Sequence, residues 1–353
     1  MVVRDNFTTL SFPHRRKLLF IGVIVITLLF FFQPVSADSR SIADIDFHQL
    51  VAEYDNYVVV SVNFRGLIRS GVVDNLSKLV GDPDKTELEK PFSRFGLNPE
   101  SDLDSLYLLL FIRDNGKAYN FAFLARGDFR GKRASIIKGI EKGFDSKLEK
   151  QNMKNGQPMY VHKRNRSYAA DEINVFYFSF PGEKIVAAAG SEDMLKYILN
   201  PSEGDDEYLS ENLKLDYTLG QCDRDKMFWI FAHFSEAARN DMRKNVNSKE
   251  DQLISTLEYF FFSFDESGGR GGYDLSLFPA EEKDFAMLDG TLKGFADSLC
   301  MMIKDTSLKN LFSSENIHTD SRNNRIWWKV RYETDRLWNA LFKLVEDRNS
   351  KQY

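Results

Sequence analysis

Histidine and cysteine, the side chains that most often serve as metal ligands or nucleophiles, are few and widely spaced in this sequence. A closed zinc site needs such ligands at short spacing. The five histidines have no second histidine or cysteine at that spacing; they lie at positions 14, 48, 162, 233 and 318. His162 and His318 fall late in corresponding predicted strands, where a paired role is the alternative to the commoner hydrogen-bonded or exposed histidine. The sequence therefore predicts neither a metal site nor a cofactor.

Motifs for nucleophilic catalysis and phosphate binding are also absent. The sequence contains no Gly-x-Ser-x-Gly and no His-Glu-x-x-His. The glycine-rich run at 268–272 has strand patterns on both sides, whereas a phosphate-binding loop leads into a helix, so the run predicts a hairpin turn. Asp102 and Asp104 could form a carboxylate pair, but calcium needs more oxygens, and a role in capping a helical turn is the simpler interpretation. We therefore expect a protein that is not an enzyme.

The two cysteines, Cys222 and Cys300, both lie in the second half of the chain. Two cysteines in an exported protein can form a disulfide. Such a bridge would enclose about 79 residues and add up to roughly 4 kcal/mol of stability. A free thiol also packs well in a protein core, so a bridge and two separate thiols are both compatible with the sequence.

The charge balance argues against a nucleic-acid partner. Of 353 residues, 47 are Lys or Arg and 52 are Asp or Glu, a formal net charge of −5. The first 37 residues hold four basic residues and one acidic residue, so the remainder carries 43 basic and 51 acidic residues, a net charge of −8. A chain of that charge repels phosphate backbones unless a basic patch overrides it, and the sequence shows no such patch.

The N-terminal segment has the pattern of an export signal. Three basic residues at 15–17 precede an uncharged apolar run at 18–32, which is shorter than the roughly 20 residues of a comfortable membrane span. Small residues at 35 and 37 predict cleavage between Ala37 and Asp38. The alternative is an uncleaved anchor, which would be the chain's only contact with a membrane. We expect a protein exported to the periplasm or cell envelope.

The remaining chain shows the same order of predicted elements twice. Apolar periodicity predicts a first unit at 38–199, an acidic linker at 200–224 and a second unit at 225–353. The predicted strands are 57–64, 106–112, 119–124, 159–162, 175–180, 185–189, 227–234, 257–264, 273–278, 316–319 and 325–332. The predicted helices include 134–144, 192–199, 236–246, 281–303 and 335–345. Strand, helix, hairpin, helix and strand is the split βαβ order. We expect an α+β fold of two tandem ferredoxin-like units, with antiparallel or mixed sheets and helices on one face.

Three segments carry a resemblance to known proteins. They read Phe-Gly-Leu-Asn-Pro-Glu-Ser-Asp-Leu-Asp-Ser-Leu at 95–106, Ala-Arg-Gly-Asp-Phe at 125–129 and Lys-Ile-Val-Ala-Ala-Ala-Gly-Ser-Glu at 184–192. The pattern resembles that of uncharacterised exported bacterial proteins with a duplicated α/β unit. The resemblance implies export and duplication, and it implies no catalytic residues.

Aromatic residues provide the candidate binding surface. The segments 257–264 and 325–330 are aromatic on both faces of their predicted strands, which marks Phe261, Trp327 and Trp328 as candidate binding residues. Core packing is the alternative explanation. The segment 81–104, which makes the first unit longer than the second, is a second candidate recognition site.

The function predicted from these features is that of an exported, non-enzymatic envelope protein that binds a partner or takes part in assembly. The alternative is a periplasmic carrier of a lipid or other apolar ligand, with the aromatic strands lining a cleft. The expected partner is thus an envelope protein or an apolar small molecule.

Overall fold

A computed structural model describes the central and C-terminal parts of the chain. The described residues are 56–72, 74–75, 92–112, 118–153, 156, 158–163, 175–199, 218, 220–223, 226–244, 255–303 and 306–349. The predicted signal segment with Ala37 and Asp38, most of the predicted linker, and residues 81–91 lie outside them. No helix within these ranges has the length and apolarity needed to cross a membrane.

The described residues form one sheet of twelve strands, and all neighbouring strands are antiparallel. The strands are β1 Tyr57–Asn63, β2 Leu103–Ile112, β3 Ala118–Gly127, β4 Glu149–Asn152, β5 Pro158–Lys163, β6 Val175–Ser179, β7 Ile185–Ala189, β8 Phe228–His233, β9 Leu257–Ser267, β10 Arg270–Pro279, β11 Ile317–Asp320 and β12 Arg325–Glu333. The α-helices are α1 Phe64–Ser70, α2 Pro99–Asp102, α3 Arg133–Phe144, α4 Glu192–Leu199, α5 Glu236–Lys244, α6 Glu282–Met302, α7 Thr306–Phe312 and α8 Thr334–Asn349.

The predicted fold of two tandem ferredoxin-like units is wrong. The order across the sheet is β4-β5-β6-β7-β3-β2-β1-β8-β9-β10-β12-β11, so the two halves share one continuous sheet. A βαβ unit joins parallel strands through a helix, whereas β1 and β2 flank α1 and pair antiparallel. The order of elements along the chain is the same in both arrangements, and only the pairing distinguishes them.

The centre of the sheet is formed by two largely buried strands, β1 and β8. β1 and β8 pair with each other over Tyr57–Val62 and Phe228–His233, and nearly all of their residues are buried. Pairing these strands covers an edge of each half that would otherwise be apolar and open. Outward from this seam the halves run in the same order, β1-β2-β3-β7-β6 and β8-β9-β10-β12-β11. The predicted unit boundaries, 38–199 and 225–353, stay a prediction.

Helices cover both faces of the sheet, which also corrects the expectation of helices on one face. We call the side of Val59 and Phe261 the front face, and the side of Val60 and Trp328 the back face. The front face packs against α4 through Met194, Leu195 and Ile198. The back face packs against α1 and α3 in the first half and against α6 and α8 in the second. Alternating side chains of one strand therefore enter different cores.

Candidate functional site

Strand β12 separates an apolar side from a charged aromatic side. Its back-face residues are buried: Ile326, Trp328, Val330 and Tyr332. Its front-face residues are exposed or partly exposed: Arg325, Trp327, Lys329, Arg331 and Glu333. We define the Trp327 face as Arg325, Trp327, Lys329 and Arg331 of β12, with their neighbours His318 of β11 and Ser276 of β10.

The three aromatic residues predicted as a binding site do not lie together. Phe261 is 1% exposed in the front-face core, where it contacts Trp229 with 6.5 Å between ring centroids. Trp328 is 2% exposed in the back-face core, among Tyr273, Phe295 and Phe312. Trp327 is partly exposed. Of the three, Trp327 is the one that solvent reaches.

The guanidinium of Arg325 lies over the Trp327 ring and is held there by hydrogen bonds. Its carbon is 5.1 Å from the Trp327 centroid and 5.7 Å from that of Phe278, within cation–π range. Nη1 donates to Gln221 Oε1 at 2.8 Å, and Nη2 donates to Gln221 O at 3.1 Å and to Ser276 Oγ at 3.0 Å. These contacts fix a cation beside an aromatic ring. His318 approaches the ring from the edge strand, with 5.5 Å between centroids.

Arg331 is the second positioned cation of the Trp327 face. Nη1 and Nη2 donate to the two oxygens of Asp274 at 2.9 and 3.1 Å, in a bidentate pair. Hydrogen bonding to Asp274 raises the pKa of Arg331, which stays charged. The side chain crosses Gly272, where an added Cβ would lie 2.8 Å from Arg331 Nη1. The glycine therefore makes room for the pair.

Lys329 lies between these two arginines on the same face. It is exposed, and its register partner on β10 is Asp274, whose carboxylate is bound to Arg331. Within the described ranges no carboxylate forms an ion pair with the Lys329 ammonium. Lys329 is thus an exposed cation of the Trp327 face.

The two cysteines lie on opposite faces of the sheet, and no disulfide joins them. Cys222 is buried in the front-face core and donates to Thr218 O at 3.1 Å. Cys300 lies on α6, which covers the back face, and donates to Lys309 O at 3.2 Å. The structure contains no Cys222–Cys300 disulfide, because the sheet separates the two sulfur atoms.

Two other candidate functional residues, Asp102 and His162, make contacts that stabilise the fold. Asp102 Oδ2 accepts from Asn98 N at 2.6 Å and pairs with Lys132, as expected for a helix cap. His162 is buried, stacks on Phe144 at 4.1 Å, and shares a hydrogen bond with Ser146 Oγ at 2.7 Å. No group of three or more His, Cys, Asp or Glu in the part of the chain that the structure describes could hold a metal ion.

Sequence reasoning found Trp327 but missed the charged residues around it. The signal was present, because Arg325, Trp327 and Lys329 alternate with Ile326, Trp328 and Val330. Period-two alternation assigns these sets to opposite faces. Gln221 and Ser276 had no sequence signal, since they reach Arg325 only through tertiary packing.

Comparisons with known proteins give no family. No protein-family model matches the chain, and no curated protein matches it. Among solved structures, crystal form I of TP0453 covers 88% of this chain and 98% of its own at 12% identity, with a TM-score of 0.38. Crystal form III of TP0453 covers 85% of this chain and 99% of its own at 12% identity, with a TM-score of 0.40.

Proposed function

We propose that the chain is an exported, non-enzymatic protein of the cell envelope that binds a partner through the Trp327 face. The observation that carries the proposal is the partly exposed Trp327 ring, flanked by an anchored Arg325 and by the exposed Lys329. A tryptophan held between cations is the kind of residue that dominates the energy of protein interfaces. Export rests on the signal pattern of residues 1–37.

The burial of the neighbouring aromatic residues favours a surface-binding protein over a carrier. Phe261 and Trp328 are 1% and 2% exposed on opposite faces of the sheet. They fill two separate cores, so they do not line one cleft with Trp327. An envelope carrier of an apolar ligand would need such a shared cleft.

Photo-crosslinking in the native host tests this proposal. The full chain carries Trp327→p-benzoylphenylalanine in one strain and Phe295→p-benzoylphenylalanine in another. Phe295 is the matched control, because it is 44% exposed on α6, on the opposite side of the sheet. We expect a crosslinked product of discrete mass from position 327 and none from position 295. No product at 327, or equal products at both positions, would contradict the proposal.

A further inference from the structure

Positive charge and an aromatic ring alternate along the front face of β12. Alternate residues of a strand are about 6.8 Å apart, so Arg325, Trp327 and Lys329 form a row of cation, ring and cation about 14 Å long. Arg331 continues the row, with its guanidinium paired to Asp274. Alternate residues of an extended peptide have the same spacing, so each alternate side chain of such a peptide can contact one residue of this row.

Two carboxylates on this face, Asp274 and Asp320, are bound within the protein, whereas Glu333 at the end of β12 is exposed. Asp274 is 5% exposed and pairs with Arg331. Asp320 accepts hydrogen bonds from Arg322 N at 3.1 Å, Asn323 N at 3.2 Å and Asn323 Nδ2 at 2.6 Å. The stretch from Arg325 to Lys329 therefore carries two cations against the single carboxylate of Asp320, whereas the Arg331 end of the row is balanced by Asp274. A negatively charged partner complements that stretch.

We infer that the Trp327 face binds an acidic, extended polypeptide segment in which two carboxylates flank an apolar side chain. The apolar side chain lies on the Trp327 ring, one carboxylate contacts Lys329, and the other contacts the Arg325 side. This inference rests on the proposed function and names the partner's chemistry.

Two other anionic partners fit the surface less well. A nucleic acid presents continuous phosphate charge, which the acidic chain repels beyond this short row. A membrane surface favours a contiguous apolar patch, whereas the Trp327 ring lies among the polar side chains of Arg325, Lys329 and His318. A short peptide segment needs only the length of the row.

Fluorescence titration tests the inference, because the chain has four tryptophans and Trp327 is the exposed one among them. The probe is the peptide acetyl-Ser-Glu-Ser-Leu-Ser-Glu-Ser-amide, and the control peptide replaces both Glu by Gln. We expect the acidic peptide to change the emission and the Gln peptide to leave it unchanged. Salt raised from about 50 mM to about 500 mM should weaken binding.

Reversing the charge of Lys329 is the second test of the inference. Lys329→Glu should weaken binding of the acidic peptide by about tenfold or more, since it places like charges together. Lys150→Glu, on the exposed edge strand β4, is the control and should leave binding unchanged. Melting curves of both variants verify that they fold.

The outcomes separate the inference from the proposed function. Equal binding of both peptides, no effect of Lys329→Glu, or tighter binding of inorganic phosphate or phosphatidylglycerol vesicles would overturn the inference. If crosslinking from position 327 succeeds while the acidic peptide fails to bind, the inference alone is wrong. If both fail, the proposed function is wrong as well.

Discussion

The indole nitrogen of Trp338 lies 3.2 Å from Oε1 of Glu266, so a carboxyl group buried at the end of β9 holds the C-terminal helix α8 on the sheet. Tyr332 Oη donates to Oε2 of the same group at 3.3 Å. Burial raises the pKa of Glu266, and the charge of Asp335 raises it further, against the lowering effect of the hydrogen bonds from Trp338 and Tyr332. The folded protein therefore favours the protonated form of Glu266 more than the unfolded chain does.

Replacing Glu266 by Gln should abolish the decrease in the free energy of unfolding that the titration of Glu266 causes as pH rises. Because the folded pKa is raised, the folded state binds more protons than the unfolded state, and the free energy of unfolding falls as pH rises above about 4.5. The fall ends once pH exceeds the raised folded pKa. Glu266→Gln keeps an acceptor for Trp338 and has no charge to bury. Urea denaturation of wild type and variant from about pH 4 to about pH 8 measures the difference.

Two further variants serve as controls for this titration. Glu333→Gln makes the same substitution at an exposed position of β12 and is the control for the chemical change itself. Glu266→Ala leaves the donors of Trp338 and Tyr332 without their acceptor and should cost about 1–3 kcal/mol at every pH. If Glu266→Gln follows the wild-type curve throughout, the buried carboxyl does not control this pH dependence.

The two adjacent tryptophans should respond in opposite ways to truncation. Trp328→Ala empties a space in the back-face core and should lower the free energy of unfolding by about 3–5 kcal/mol. Trp327→Ala removes a partly exposed ring and should cost less than about 1 kcal/mol. Chemical denaturation of each variant gives the comparison. Equal costs would show that both rings are core residues.

The local elements of the fold were predictable from the sequence because periodicity reports burial residue by residue. The predicted strand 185–189 and helix 192–199 are confirmed as β7 and α4. The turn predicted at 268–272 is confirmed at Gly268 and Gly269, which have positive φ angles of 59° and 78°, whereas residues 270–272 already belong to β10. β4 was missed, because its four residues are all exposed and polar and give no apolar alternation.

Strand pairing was not predictable, because it depends on contacts between residues far apart in the chain. β1 meets β8 across about 170 residues, and no local pattern specifies that partner. The same limit applies to the site. The sequence marked Trp327 by its aromatic type, but the register of Trp327 against Ser276 and His318 comes from the sheet.

Two glycines one turn apart on α3 should differ in their tolerance of alanine. A Cβ at Gly139 would lie 2.6 Å from Arg94 O and 2.7 Å from Phe95 Cδ1, whereas Gly143 has nothing within 4 Å. Gly139→Ala should therefore cost about 1–3 kcal/mol. Gly143→Ala should add up to about 1 kcal/mol, since alanine favours helix. Thermal unfolding of both variants tests whether the segment before α2 packs on α3.

The cysteines should differ in their reactivity with a maleimide. Cys300 is partly exposed, and burial raises the pKa of its thiol, so we expect slow labelling that accelerates with pH. Cys222 is buried and should react only after unfolding. Mass spectrometry after labelling in guanidinium chloride without reductant should find two adducts. Finding none would show that the two residues are bridged in the isolated protein.

Hydroxyl-radical footprinting in intact cells tests most directly whether the Trp327 face is occupied in its native setting. The measurement is the rate of side-chain oxidation at Trp327 in cells and in the purified chain, with Met301, which is 84% exposed on α6, as the internal reference. We predict that Trp327 is protected in cells while Met301 oxidises equally in both samples. Equal oxidation of Trp327 in cells and in the purified chain would contradict the account.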